Sequence, residues 1–248
     1  MKIDRALIIR MENNEISREY AEGCAESCEE HGLPYEFIDA VDASQYSGTD
    51  EILRTVGAFS INGYDNNRKG NVGCHASMIK CWKRICEIGA PCVILEHDSL
   101  VLGDVTTLDI PEMAVVTFGH RVSESNEYIP PRPAEELVEI PRAIGVHACG
   151  LHPTTAKWLY EDATVNGVGM GVDRYLIMTR TTGLPLYVCD PPQIVCWVRQ
   201  TTIRRAGKER DVVNYKEALT PAWHEGLREE DDYRKHFGKN PHRTDTGH

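Results

Sequence analysis

Short continuous apolar runs alternate along this chain with apolar stripes at helical spacing. The runs predict strands over residues 7–10, 35–40, 92–95, 114–118, 143–149 and 186–189, each bounded by glycine, proline or polar residues. The stripes predict helices over 17–31, 154–161 and 172–179. The clearest helix opens at Gly70 and Gly73, carries Met78, Ile79, Trp82 and Ile85 at three- and four-residue intervals, and breaks at Gly89, Ala90 and Pro91. Cys92 to Leu95 is apolar without interruption, the pattern of a strand covered on both faces. Residues 43–70 are polar and rich in Gly, Ser, Asn and Asp, a long loop with a short helix near Ile52. Strands alternating with helices predict an α/β fold, a mainly parallel sheet flanked by helices.

Directly after the 92–95 strand stand Glu96, His97 and Asp98. In open α/β sheets ligands sit outside the carboxyl ends of the strands. Two carboxylates there, pointing the same way if the segment stays extended, supply hard oxygen ligands for a divalent cation that can hold a diphosphate. The plainer reading is a turn cap after a buried strand. His152, at the end of a later strand, either completes that metal shell or is merely hydrogen-bonded. Asp173 follows the glycine-rich loop Gly167–Gly171, as a general base facing an acceptor or as the N-cap of its own helix. Residues 121–142 hold four prolines and many charges. That stretch reads as an inserted lid or acceptor loop, with Tyr128 placed to stack on a sugar, or as a plain surface insertion. Trp82 reads as core.

Composition narrows the function classes. A chain of 248 residues with 41% hydrophobic content buries one large core, or a core plus a small lobe. A formal net charge of -11 argues against a generic nucleic-acid or anionic-membrane surface. The one basic cluster, Arg199, Arg204, Arg205, Lys208 and Arg210, either meets an anionic ligand or is a solvated loop. No apolar run is long enough to span a membrane, and the first residues enter a strand with no signal-peptide pattern. Nine cysteines without a C-x-x-C pair suggest reduced thiols, Cys24 and Cys28 included, and a cytoplasmic chain. The expected plan is one domain over 1–205, with the insert at 121–142, and a charged extension over 206–248.

Several motifs, in order over roughly residues 5–205, resemble glycosyltransferase family 25, the lipooligosaccharide-type transferases and their collagen galactosyltransferase relatives. Ile9, Arg10 and Met11 stand where that family has an I-N-L-like triplet, with Arg18 as the arginine that follows. Tyr35 to Asp42 matches its "yefidAvDg" phrase. Gly70, Asn71, Val72, Gly73, Cys74, Ser77, Lys80 and Trp82 resemble G-E-I-G-C-x-x-S-H with the K-x-W that follows. Ile94 to Asp98 resembles I-L-E-D-D, Gly171 to Leu176 the P-V-D-x-x-L/M helix start, and Pro192, Val195, Gln200, Thr202 and Ile203 the closing segment. Three positions depart from the pattern. Arg10 replaces the asparagine, Met78 the histidine (with His75 almost one turn earlier), and His97 the middle acid.

The resemblance implies a GT-A-like, Rossmann-type fold and a cytoplasmic hexosyltransferase using a UDP-sugar donor and Mn2+ or Mg2+. The acceptor is a hydroxyl, by default on a saccharide as in lipopolysaccharide biosynthesis, with inversion at the anomeric carbon. With that chemistry the candidate donor-binding residues are Arg10, Arg18, Asp42, Lys80, Glu96, His97 and Asp98, the candidate metal ligands Glu96 and Asp98 with His152, and the candidate base Asp173. Rival expectations are a non-catalytic sugar-nucleotide-binding or scaffold relative, and a transferase acting on a modified nucleic-acid base. A zinc hydrolase using His75, His97, Asp98 and His152 is disfavoured by the lack of an H-E-x-x-H spacing.

Overall fold

The computed structural model describes residues 1–61, 69–121, 136–139, 147–177, 183–190 and 193–196. The 122–135 and 140–142 parts of the insert, Tyr128, the basic cluster, Gln200, Thr202, Ile203 and the 206–248 extension lie outside these residues.

A mixed seven-stranded sheet forms the centre. It is built from β1 (Arg5–Arg10), β2 (Tyr35–Asp39), β3 (Cys92–Glu96), β5 (Val115–Thr117), β7 (Glu136–Glu139), β8 (Ala148–Leu151) and β9 (Leu186–Asp190), in the order β2-β1-β3-β8-β5-β9-β7. β1 pairs parallel with both β2 and β3, and β5 parallel with β9. β8 runs antiparallel to both its neighbours, and β7 antiparallel to β9. A small second sheet joins β4 (Ser99–Val101), β10 (Ile194–Cys196) and β6 (Gly119–Arg121).

Alternation along the central strands sends neighbouring side chains to opposite faces. Leu7 and Ile94 join the core beneath α3 (Lys69–Ile88), whereas Ala6, Ile8, Val93 and Leu95 join the core beneath α1 (Glu15–Glu30). Asn14 caps α1 by accepting from the Ser17 N–H at 2.9 Å. The expected apolar stripe of α3 is buried, with Ile79, Trp82 and Ile85 at 0% exposure, so Trp82 is core. α4 (Pro153–Val165) packs on α3, and the short α5 (Val172–Ile177) follows it. The short helix near Ile52 is α2 (Thr49–Arg54). None of the described helices is long and apolar enough to cross a membrane.

One contact joins α3 to the end of β2. The Ser77 hydroxyl donates to the Gly73 carbonyl at 2.7 Å and accepts from the Val41 N–H at 2.9 Å. A Cβ on Gly73 would stand 2.8 Å from the Val41 carbonyl oxygen and 3.0 Å from the Ala43 Cβ. A glycine and a serine one turn apart therefore clasp the helix to the loop after β2. We expect Gly73→Ala to lower stability by about 1–3 kcal/mol through overpacking. Ser77→Ala should cost about 1–3 kcal/mol by depriving the Val41 N–H of its acceptor. Urea denaturation of each variant checks both, and a wild-type midpoint for either would show the clasp to be slack.

Candidate functional site

The parallel register of β1, β2 and β3 brings three strand ends to one level. Arg10 pairs with Asp39, and Ile9 pairs with both Ile38 and Glu96. The loops leaving those ends, together with one side of α3 from Lys69 to Glu87, enclose a cleft of about 1250 Å³. Arg10, Asp42, Lys80, Glu96, His97 and Asp98 all line it.

The first loop, after β1, is held from behind. The Met11 N–H donates to the Ser17 hydroxyl at 2.9 Å, and the Arg18 guanidinium to the Glu12 carbonyl at 2.7 Å. Arg18 is thus a brace for the loop and is absent from the cleft lining. Arg10 lies over the Phe37 ring at 4.0 Å and pairs with the Glu12 carboxylate at 2.7 Å, which fixes its plane at the cleft wall.

The second loop, after β2, opens a 3-10 turn over Ala43–Gln45. Asp42 caps that turn. Its carboxylate accepts from the Ser44 hydroxyl and N–H at 2.6 and 2.9 Å and from Gln45, and the Ser44 bonds hold it below the ordinary range. Lys80 donates its ammonium to the Asp39 carbonyl, and Lys69 donates to the Tyr46 carbonyl at 2.7 Å. Lys83 and Arg84 extend this cationic wall, with Arg84 paired to Glu36 at 2.8 Å.

The third loop carries the carboxylates. An extended segment through Asp98 was expected, but the strand ends at Glu96, and His97 and Asp98 form a tight turn into β4. Its closure is visible in one acceptor. The His147 carbonyl takes the Glu96 N–H at 2.9 Å and the Ser99 hydroxyl at 2.8 Å, so both ends of the turn are tied to the same atom. Glu96 and Asp98 still reach the cleft, now by the turn rather than by strand alternation. His97 stacks on Tyr20 with ring centroids 6.0 Å apart, and burial lowers its pKa against the opposing pull of Asp98. A neutral imidazole therefore stands in the middle of the motif.

Asp173 sits in the first turn of α5, one residue inside the helix, so it is not the N-cap. It is exposed, and its neighbour Val172 lines the cleft. Cys74, on the cleft wall, senses all three acids. Burial raises its thiol pKa, and the charges of Glu96, Asp173 and Asp98 raise it further.

Two expected residues lie elsewhere. Because β8 is antiparallel, Leu151 pairs with Cys92 at the start of β3, and His152 falls at the opposite edge of the sheet from Glu96 and Asp98. There it caps α4 by accepting from the Thr154 N–H at 3.2 Å. His75 is fully buried against Trp82 and Tyr175, with Nδ1 3.0 Å from the Met170 carbonyl, and does not replace the histidine at Met78 in the cleft. Among the described residues no three His, Cys, Asp or Glu side chains converge as a metal-binding group. The zinc-hydrolase set of His75, His97, Asp98 and His152 is therefore not assembled. Sequence reasoning missed His147, which ties both ends of the carboxylate turn. It acts through its backbone carbonyl, which no side-chain motif announces.

Residues 4–109, less than half of the chain, match the model of glycosyltransferase family 25 (LPS biosynthesis protein). No curated protein matches the chain. One similar solved structure is a glycosyltransferase involved in glycosylation of the major capsid of PBCV-1, at 12% identity and a TM-score of 0.41, covering 79% of this chain and 95% of that one. Another is a mutant Drosophila β1,4-galactosyltransferase 7 in complex with manganese, UDP-Gal and xylobiose, at 10% identity and a TM-score of 0.41, covering 88% and 80%. Neither likeness bears on the chemistry of this chain.

The buried His75 has a consequence for stability. Desolvation pushes its pKa from 6.5 down to about 4, so it is neutral in the fold while the unfolded chain still titrates near 6.5. The unfolded state then binds the extra proton between those values. The His75 contribution to stability should be level above pH 6.5 and fall by about 3 kcal/mol as pH drops towards 4. Urea denaturation across that window should show a shallower slope in His75→Gln than in the wild type, and equal slopes would refute this origin.

Proposed function

We propose, with the family 25 match over residues 4–109 as premise, that this chain is a GT-A-type transferase moving a hexose from a UDP-sugar to a hydroxyl. The observation that carries the reading is the cleft at the carboxyl ends of β1, β2 and β3, lined both by Glu96 and Asp98 and by Lys80, Lys83 and Arg10. A nucleoside diphosphate sugar fits that polarity. Its anionic centre needs cations around it, and its nucleoside needs a deep wall such as the β1 and β2 loops provide.

Glu96 and Asp98 suit a hard divalent ion of the Mg2+ or Mn2+ type, which takes one or two protein carboxylates and fills its other positions with water and phosphate oxygens. Bound there, such an ion would supply charge neutralisation for the departing diphosphate. The chain's own residues do the rest. Arg10, fixed between Phe37 and Glu12, and Lys80, tethered at the Asp39 carbonyl, line the donor side. Asp42 braces the donor wall through its turn. Asp173, in the first turn of α5 next to the cleft-lining Val172, takes the acceptor hydroxyl proton as the oxygen attacks the anomeric carbon and the bond to the diphosphate breaks. Attack from the face opposite the diphosphate gives inversion. The default acceptor is a saccharide, as the family's description as an LPS biosynthesis protein suggests. Nine cysteines without a C-x-x-C pair suit a reducing, cytoplasmic setting.

A second reading rests on His97. A neutral ring in place of an acid weakens the anionic site and would suit a relative that binds sugar nucleotide without turnover. Thermal stability with UDP, with and without manganese, separates the two together with donor hydrolysis. We expect a manganese-dependent rise in midpoint with UDP that disappears in Asp98→Ala. Asp173→Asn should keep that rise while transfer falls by about 10²–10⁴-fold. No shift with any nucleoside diphosphate would sink the transferase reading, and binding without diphosphate release would favour the second.

A further inference from the structure

A short apolar rib beside the cleft has no part in the roles above. Beyond Gly57, which lines the cleft, the chain continues extended and Ser60 bridges in parallel to Val168. The Val168 N–H donates to the Phe59 carbonyl at 2.9 Å and the Ile61 N–H to the Val168 carbonyl at 3.0 Å. Ala58 and Val168 turn into the core, while Phe59 and Ile61, two apart on the extended segment, turn outward together at 43% and 42% exposure. Gly167 makes the arrangement possible. Its φ is +80°, and a Cβ there would lie 2.7 Å from the Phe59 ring and 3.0 Å from the Phe59 carbonyl oxygen. The ring is thus seated against backbone on one side and open to solvent elsewhere.

Both strands of this rib lead into the site. One follows the cleft-lining residues Thr55, Val56 and Gly57, and the other continues through the glycine loop to Val172, also in the lining, and to Asp173. An apolar ring seated two residues from the cleft-lining Gly57, on a segment bonded to the loop that leads to Asp173, suits the weakly polar face of a pyranose. Two side chains are far too little surface for a stable protein partner, which needs about 800 Å² per side.

We propose that Phe59, with Ile61 beside it, is the platform on which the acceptor's sugar ring stacks. The proposal rests on the transferase reading, and the test keeps the two apart. The chain has four phenylalanines, so fluorophenylalanine labelling gives four fluorine NMR signals, with that of Phe59 identified by its loss in Phe59→Leu. Methyl β-galactoside, methyl β-glucoside and lactose are titrated with UDP and manganese present. The Phe59 signal should move with at least one of them. Phe59→Ala should transfer to that sugar about tenfold less well at subsaturating acceptor, with donor hydrolysis and thermal midpoint near wild type, and Phe59→Tyr should restore transfer. A Phe59 signal unmoved by every glycoside, or full transfer by Phe59→Ala, would overturn the platform. So would a signal that moves only with protein concentration alongside dimer formation in sedimentation, since the rib would then bind a second copy. A wild type that hydrolyses no donor while its Phe59 signal still responds to glycoside would sink the transferase reading alone.

Discussion

The site depends on one ladder. β1 is hydrogen-bonded in parallel to β2 on one side and β3 on the other, so Arg10, Asp39 and Glu96 reach the same edge at nearly the same level. A slip of one residue in either pairing would send Leu7 or Ile94 to the wrong core and move a loop by one side chain. The continuous burial of Ala6, Leu7 and Ile8 against Val93, Ile94 and Leu95 makes such a slip expensive, because each of these residues is at most 1% exposed. Core packing therefore sets the geometry of the cleft before any polar contact forms there.

The second constraint is the clasp between α3 and the loop after β2. Gly73 permits the close approach, and the Ser77 hydroxyl bridges the Gly73 carbonyl and the Val41 N–H. α3 also carries Cys74 and Lys80 into the cleft and Trp82 into the core. A motif that reads as a string of unrelated letters becomes one mechanical unit. Small and hydroxyl residues hold the helix to the loop, and the residues between and beyond them face the ligand space or the interior.

Legibility followed the strength of the local pattern. The long helices and the central strands were readable because each carries several residues of consistent period. Strands of three residues, β4, β6 and β10, carry too little pattern to stand out, and β7 lies within a segment whose prolines and charges speak for a loop. Strand direction was the costliest blind spot. Nothing in Ala148–Leu151 says that it runs against β3, yet that reversal moves His152 to the far edge and brings the His147 carbonyl to the carboxylate turn. Likewise, alternation was extended two residues too far, through Asp98. Glu96 ends the strand because the chain reverses at His97 and Asp98, and a turn follows rules that a period of two does not contain.

The departures from the family pattern, taken together, alter the local charge less than each does alone. Arg10 adds a cation where the pattern has an asparagine, but the Glu12 carboxylate lies 2.7 Å from its guanidinium and the Phe37 ring holds its face. His97 removes an acid, and burial keeps its imidazole from adding a positive charge in exchange. Had His97 been solvated, its proton would have cancelled one of the two flanking carboxylates at mildly acidic pH. Seated instead against Tyr20, it leaves the negative charge of the turn with Glu96 and Asp98. The side chains that depart from the pattern thus carry their own compensations, a paired carboxylate for one and an aromatic seat for the other. The electrostatic polarity of the cleft, cationic along α3 and β1 and anionic at the end of β3, survives both substitutions.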